Sequence, residues 1–219
     1  MNLQATHPHP WVAAVALDDK RVIKMTLETA QMYCTVTGEG KYKSTHSNHP
    51  VTKWAEHNLS WLIRFHQALA GEYFYRFQKC HKSFVDVGQY MKHMPDTEPH
   101  SFVNAARTSL VDVNNRPMDF TDIEDVHLAY RYYMRARWHG DTMAAKWTRR
   151  MPPFWISENL IPRKPNADGT QRYYPLMITD TSGTPTKDGW GSIFGRHKDS
   201  EGRWTNHLPQ SGERWSRPA

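Results

Sequence analysis

The strongest pattern along the chain is helical. From Leu17 to Val36, LDDKRVIKMTLETAQMYCTV, apolar residues recur at three- and four-residue spacing. At about 100° per residue, Val22, Met25, Thr29, Met32 and Val36 gather on one flank, and Ile23, Leu27, Ala30 and Cys34 on the other. A narrow polar stripe runs between them. Arg21 and Glu28 lie within about 20° of each other, Lys24 and Gln31 within about 80° on the same side, and Lys20 borders them. Apolar coverage this wide predicts a mostly buried helix whose stripe lines a cleft. Gly38 and Gly40 end it.

The same reading places a short helical lead-in over Trp11–Leu17, after a polar start with two His-Pro pairs. Lys41–Pro50 is a polar loop. A long helix is predicted from about Val51 to about Lys79, with Trp54, Leu59, Trp61, Leu62, Phe65, Leu69, Tyr73 and Phe77 on its buried faces and a break near Gly71 or Cys80. Ser83–Met91 predicts another short helix, Pro95–Thr121 an irregular stretch, and Asp122–His139 a further helix. Asp141–Arg149 is expected to form a last helix, stopped by Pro152 and Pro153. From Leu160 onward Gly, Pro, Asp, Ser and Thr dominate, with Tyr173–Ile178 a candidate strand and Trp190–Phe194 a short turn or strand. The expected architecture is mainly α: one irregular helical domain over 1–157, then a loop-rich extension over 158–219 with little regular structure.

Charge narrows the partners. The 219 residues carry a formal net charge of +6, with thirteen His besides. This balance favours polyanions, nucleic acid first and anionic membrane second. No apolar run reaches transmembrane length, and MNLQATHPHP lacks the layout of a secretory signal. The expectation is a protein that stays inside the cell making it, with no membrane partner. Cys34 and Cys80 fall inside helical patterns without a CxxC neighbour, so both are expected as reduced, buried thiols. Neither a metal site nor a cofactor is expected.

Three clusters could meet a polyanion. Tyr42, Lys43, His46, Asn48 and His49 lie within eight residues of one loop and suit phosphate and base-edge contacts. The rival reading, a metal held by His46 and His49, has only an H-x-x-H spacing and no third ligand beside it. Arg76, His81 and Lys82 stand in a second basic and aromatic cluster. Tyr130, Arg131, Tyr133, Arg135 and Arg137 form a third, followed by Lys146, Arg149 and Arg150. Of these, Arg131, Arg135 and Lys146 are expected at the surface, while Tyr132 and Trp138 are as well explained by core packing as by base stacking.

Four blocks in order, LDDKRVIKMTLETAQM, YKSTHSNHPVTKWA, GEYFYRFQKCHKS and YRYYMRARWHGDTMAAKWTRRMPPFW, resemble a widespread family of small phage-encoded proteins. The resemblance covers about residues 1–157 and implies a phage and DNA context. A more distant similarity is to the phage pyrimidine-dimer DNA glycosylases. These are small, basic and all-helical, and carry a basic residue seven positions before a catalytic Glu, the spacing of Arg21 and Glu28 here. That resemblance implies a DNA-glycosylase-like helical core with Glu28 as the catalytic carboxylate. Arg21 and Lys24 would hold phosphate or stabilise charge. One feature departs from it. Those enzymes use the N-terminal amine exposed by Met removal, and removal before Asn2 is expected to be poor.

The function this favours is a phage-type enzyme acting on double-stranded, damaged or modified DNA in the cytoplasm of an infected bacterium. It would cleave a glycosidic bond or modify a pyrimidine base turned out of the stack. Lys20, Tyr42, Lys43, His46, Asn48, His49, Arg76, His81, Lys82 and Arg131 are the candidate nucleic-acid contacts. The alternatives are a DNA- or RNA-binding protein without catalysis, or a protein inhibitor of a host enzyme.

Overall fold

The computed structural model describes residues 2–91, 101–111, 117–141 and 143–157, together with short strand segments at 161–163, 172–174, 197–198 and 204–205. Helix α1 (Pro10–Ala16) leads into α2 (Asp19–Thr37), followed by α3 (Pro50–His57), α4 (Leu59–Phe77) and α5 (Lys82–Gly88). A hairpin of β1 (Arg107–Val111) and β2 (Pro117–Asp119) precedes α6 (Val126–Gly140), and a 3-10 turn covers Phe154–Ser157. The mainly helical expectation holds.

Helix α4 is the centre of the core. It packs against α1 and α2, while α3 and α5 pack against α2. Trp61, Leu62, Phe65 and Leu69 of α4 are buried together with Ala13, Ala14, Val22, Met25 and Met32. Helix α6 buries Ala129, Tyr130, Met134 and Trp138, and packs on the hairpin that carries Met118. The N-terminal segment ties these halves together. Trp61 Nε1 donates to the Pro8 carbonyl at 2.6 Å, Arg131 Nε to the Thr6 carbonyl at 3.0 Å, and Tyr130 Oη to Asn2 Oδ1 at 2.7 Å.

Four expectations are corrected. The Val51–Lys79 helix is two helices divided at Asn58, not near Gly71 or Cys80. Asn58 has φ −131°, and its side-chain amide donates to the Trp54 carbonyl at 2.8 Å, closing α3 while its own carbonyl starts α4. Asp141–Arg149 does not form a helix. Its polar groups go instead to the start of α2: Asp19 N donates to the Lys146 carbonyl, and Thr148 N and Oγ1 donate to the Asp19 carboxylate. Within the stretch expected to be irregular, β1 and β2 pair antiparallel, with Arg107 opposite Asp119. Cys34 is buried as expected, but Cys80 is exposed.

In the extension, Ile161–Arg163 (β3) pairs antiparallel with Arg172–Tyr174 (β4), and His197–Lys198 (β5) with Trp204–Thr205 (β6). The candidate strand at Tyr173–Ile178 overlaps β4 in part, and its remainder lies outside the described residues, as does Trp190–Phe194. Among the described residues no helix is long and apolar enough to cross a membrane.

Candidate functional site

Helix α2 packs one apolar flank against the core but the other only in its second half, at Ala30 and Cys34. Val22, Met25, Met32 and Tyr33 face the core, but Ile23 is 45% and Leu27 37% exposed. The open face therefore carries Lys20, Ile23, Lys24, Leu27 and, half-buried, Glu28 and Gln31. This corrects the expectation of a thin stripe between two packed surfaces: no helix covers the Ile23–Leu27 side among the described residues. On this face Lys24 Nζ lies 3.3 Å from Glu28 Oε1, with the lysine side chain 62% and the glutamate 19% exposed. Glu28 is a carboxylate screened on one side by the helix and open on the other.

Arg21 shares the Glu28 side of the helix two turns earlier, about 10 Å along the axis, but its environment differs. Its side chain is buried between Asp141, at 2.6 Å, and Asp18, at 3.3 Å. Trp138 Nε1 also donates to Asp18 Oδ1, at 2.7 Å. Burial works against the Arg21 charge, yet the two carboxylates outweigh it and hold its pKa above the ordinary value. Burial raises Asp18 despite Arg21 and Trp138, whereas at Asp141 the arginine wins over burial and keeps that carboxyl below the usual range. Arg21 thus locks the start of α2 to the end of α6. Lys20 reaches the same Asp141 at 3.4 Å from a half-exposed position.

The loop after α2 folds back onto the Glu28 edge. Thr35 continues the row of Glu28 and Gln31 by one turn, and accepts a hydrogen bond from Thr45 N at 3.1 Å. Gly40, with φ 100°, lets the chain pass so close to Cys34 that a Cβ there would meet its Sγ at 2.6 Å. At the loop's start Tyr42 Oη donates to Asp86 of α5 at 3.0 Å, and Lys41 and Lys82 both pair with that carboxylate. Hydrogen bonds from these two lysines hold the Asp86 pKa at about 2. At the loop's end His49 caps α3, its Nδ1 accepting from Val51 N at 3.2 Å. Burial, then the positive charges of the N-terminal amine and of His46, lower the His49 pKa, which keeps Nδ1 free to accept. Lys43, His46 and Asn48 stand exposed between these anchors, His46 with φ 57°.

The other candidates separate. Arg76 is enclosed, so it is not available to a phosphate: its side chain is fully buried against Glu72 and Asp19, both at 3.1 Å, and it donates to the Leu17 and Val15 carbonyls. Arg131 is half-buried and holds the N-terminal segment through Thr6. His81 caps α5, its Nδ1 accepting from Ser83 N at 3.2 Å. Lys82 remains exposed. Arg135, expected at the surface, is buried with its guanidinium 5.9 Å from the Tyr132 ring centre, while Lys146 is exposed as expected.

Several groups in these clusters were not singled out from sequence. Asp18 and Glu72 hold the buried arginines from three and four residues away, while Asp141 and Asp19 reach them across 120 and 57 residues, which no local pattern signals. His66 of α4 is wholly buried, its Nδ1 2.9 Å from Thr29 Oγ1 of α2, beside the Glu28 position. Burial and then His81 push its pKa down to about 4.

A family model described as pyrimidine dimer DNA glycosylase matches residues 1–84, in agreement with the resemblance drawn from the Arg21–Glu28 helix. No curated protein and no solved structure matches the chain. The matched stretch contains all of α1 to α4, the loop, and the start of α5.

Proposed function

We propose that this protein is a DNA glycosylase that removes damaged pyrimidines from duplex DNA, with Glu28 as its catalytic carboxylate. The observation that carries the reading is the Lys24–Glu28 pair on the open face of α2, inside the 84 residues that match the glycosylase family model. The target nucleotide leaves the stack and meets this face. While ionised, Glu28 stabilises the positive charge growing on the sugar as the C1′–N bond stretches, and it then takes the proton of the water that attacks C1′ and becomes the neutral acid. The C1′–N bond breaks with its electron pair going to the departing base. Lys24 pairs with Glu28 before substrate arrives and contacts a flanking phosphate afterwards. Lys20, Lys43, His46, Asn48 and Lys82 supply further backbone contacts. Arg21 is assigned a supporting part: clamped by Asp18 and Asp141, it fixes the helix that presents Glu28.

With water as the nucleophile, the product is an abasic site, not a broken strand. The test is ultraviolet-irradiated duplex DNA, read for abasic sites before and after alkali. Glu28→Gln keeps the size and removes the charge, so turnover falls by roughly a hundredfold or more while binding to undamaged duplex persists. An unchanged rate in that variant removes Glu28 from the chemistry. Binding without any product in the unaltered protein supports a non-catalytic DNA-binding protein instead.

A further inference from the structure

Trp11 of α1 lies across Gly71 of α4. A Cβ at Gly71 would meet Trp11 Cζ3 at 3.3 Å, so the missing side chain lets the indole settle close on the helix. Phe74 and Tyr75 follow one turn later, about 60° to one side of Gly71 and about 40° to the other. Three rings thus gather within one turn of α4. All are open to solvent: Trp11 is 47%, Phe74 52% and Tyr75 43% exposed. The segment after α6 holds Tyr75 in place. The Tyr75 hydroxyl donates to the Arg149 carbonyl at 3.3 Å, and Arg149 Nη1 donates to the Tyr75 carbonyl at 3.2 Å. The Arg150 guanidinium lies over the Tyr75 ring, 4.2 Å from its centre, and is pinned there by Glu72.

Charge points to an anionic partner. Glu72 is the sole carboxylate on α1 or α4, and it is buried between Arg76 and Arg150. Arg149 stands exposed at the Tyr75 edge. Open rings beside an exposed cation, on helices that show no carboxylate to solvent, suit a chain of phosphates with flat groups between them. A single strand of nucleic acid has this chemistry, because its unpaired bases are free to stack on protein rings while its phosphates meet cations. The face lies apart from Glu28. Gly71 is about 140° round α4 from His66, which meets Thr29 of α2.

We infer that Trp11, Phe74 and Tyr75 form a stacking platform for single-stranded nucleic acid, with Arg149 meeting a phosphate beside it. The site is separate from the α2 face, and the inference does not rest on the glycosylase reading. Successive bases lie on the rings, and sequence preference is slight because every base has a π face.

The experiment uses the full chain and a labelled oligothymidine of about twelve nucleotides, a length within the range such sites cover. Binding is followed by fluorescence anisotropy across a salt series, with a duplex for comparison. Phe74→Ala and Tyr75→Ala are each expected to weaken oligothymidine binding roughly tenfold. Tyr75→Phe keeps the ring and should bind as the unaltered protein does. Duplex binding should be kept in all three. Tyr75→Ala also releases Arg150, so Phe74→Ala carries the test if that variant unfolds. Arg149→Gln should lower the slope of log affinity against log salt by about 0.7, the share of one phosphate contact on a single strand, while the ring variants leave the slope in place. An unchanged slope overturns the Arg149 contact. Oligothymidine binding that is absent from the unaltered protein, or equally strong in Phe74→Ala, overturns the platform. If Phe74→Ala instead turns a dimer into a monomer in sedimentation while oligothymidine binding holds, the face is a contact between copies of the chain and the platform falls. Failure of the unaltered protein to release any base leaves these binding results standing, so the two readings fail separately.

Discussion

Arg76 carries its charge with no side-chain exposure at all, and the protein meets that cost locally. Glu72 and Asp19 neutralise it, two main-chain carbonyls take its remaining donors, and Arg150 completes the cluster by pairing with Glu72 at 2.5 Å. Arg21 follows the same logic with Asp18 and Asp141. His66 is buried the opposite way, as a neutral ring. Thr29 Oγ1 donates to the Met25 carbonyl, so its contact with His66 takes the Nδ1 proton, and Nε2 has no partner among the described residues. This fixes a pH dependence. The folded-state pKa is about 4 against an ordinary 6.5, so the unfolded chain takes up the proton first as pH falls. The stability that His66 contributes is complete above about pH 6.5 and is lost progressively toward pH 4, roughly 3 kcal/mol in all. Urea unfolding across that range should show the decline, and His66→Leu should flatten it. An equally steep decline in the variant would place the titration elsewhere.

At the scale of elements, two helices begin on a histidine where Ser, Thr, Asp or Asn is usual. His49 and His81 each accept the amide two residues on through Nδ1, at 3.2 Å in both cases. The His49 cap also ends the loop that carries Lys43, His46 and Asn48. His49→Ala should cost about 1 kcal/mol and loosen that loop, and His49→Asn should restore most of the stability. Denaturation midpoints of the two variants measure this; equal loss in both would mean that the cap is not what His49 supplies. Helix α2 itself was legible in advance because its spacing repeats over five turns. The division at Asn58 was not, since LSWLIRF continues the apolar pattern across it and only the Asn58 backbone breaks the helix. Ile23 and Leu27 mark the other limit: periodicity tells which residues share a face, but not whether another element covers that face.

Across the whole molecule, the segment after α6 does the joining. Trp147 Nε1 donates to the Ala16 carbonyl, Thr148 to Asp19, and Trp155 stacks on Trp138 with ring centres 5.4 Å apart. These contacts set a boundary for what must be present. A chain ending after Ser157 should keep the cooperative thermal unfolding of the full protein. One ending after Arg150 loses Trp155 and Ile156 from the core and should be destabilised by about 3–5 kcal/mol. Matching unfolding curves for the two lengths would show that the stack adds nothing.

The amino-acid sequence alone determined the helical class, the extent of α2, and the placing of Lys24 and Glu28 one turn apart on it, because these depend on residues three or four positions away. Its first 84 residues also carried enough of the glycosylase pattern to suggest the similarity that the family model matches there. Only the tertiary structure decided which charges are spent inside. Arg21, Arg76 and Arg135 look like any other basic residue in a linear reading. Beside the local Asp18 and Glu72, Asp141 reaches Arg21 and Asp19 reaches Arg76 from far along the chain, and such long-range partners leave no local trace. The same holds in reverse for Ile23 and Leu27, whose exposure follows from the absence of a covering helix on that side of α2 among the described residues.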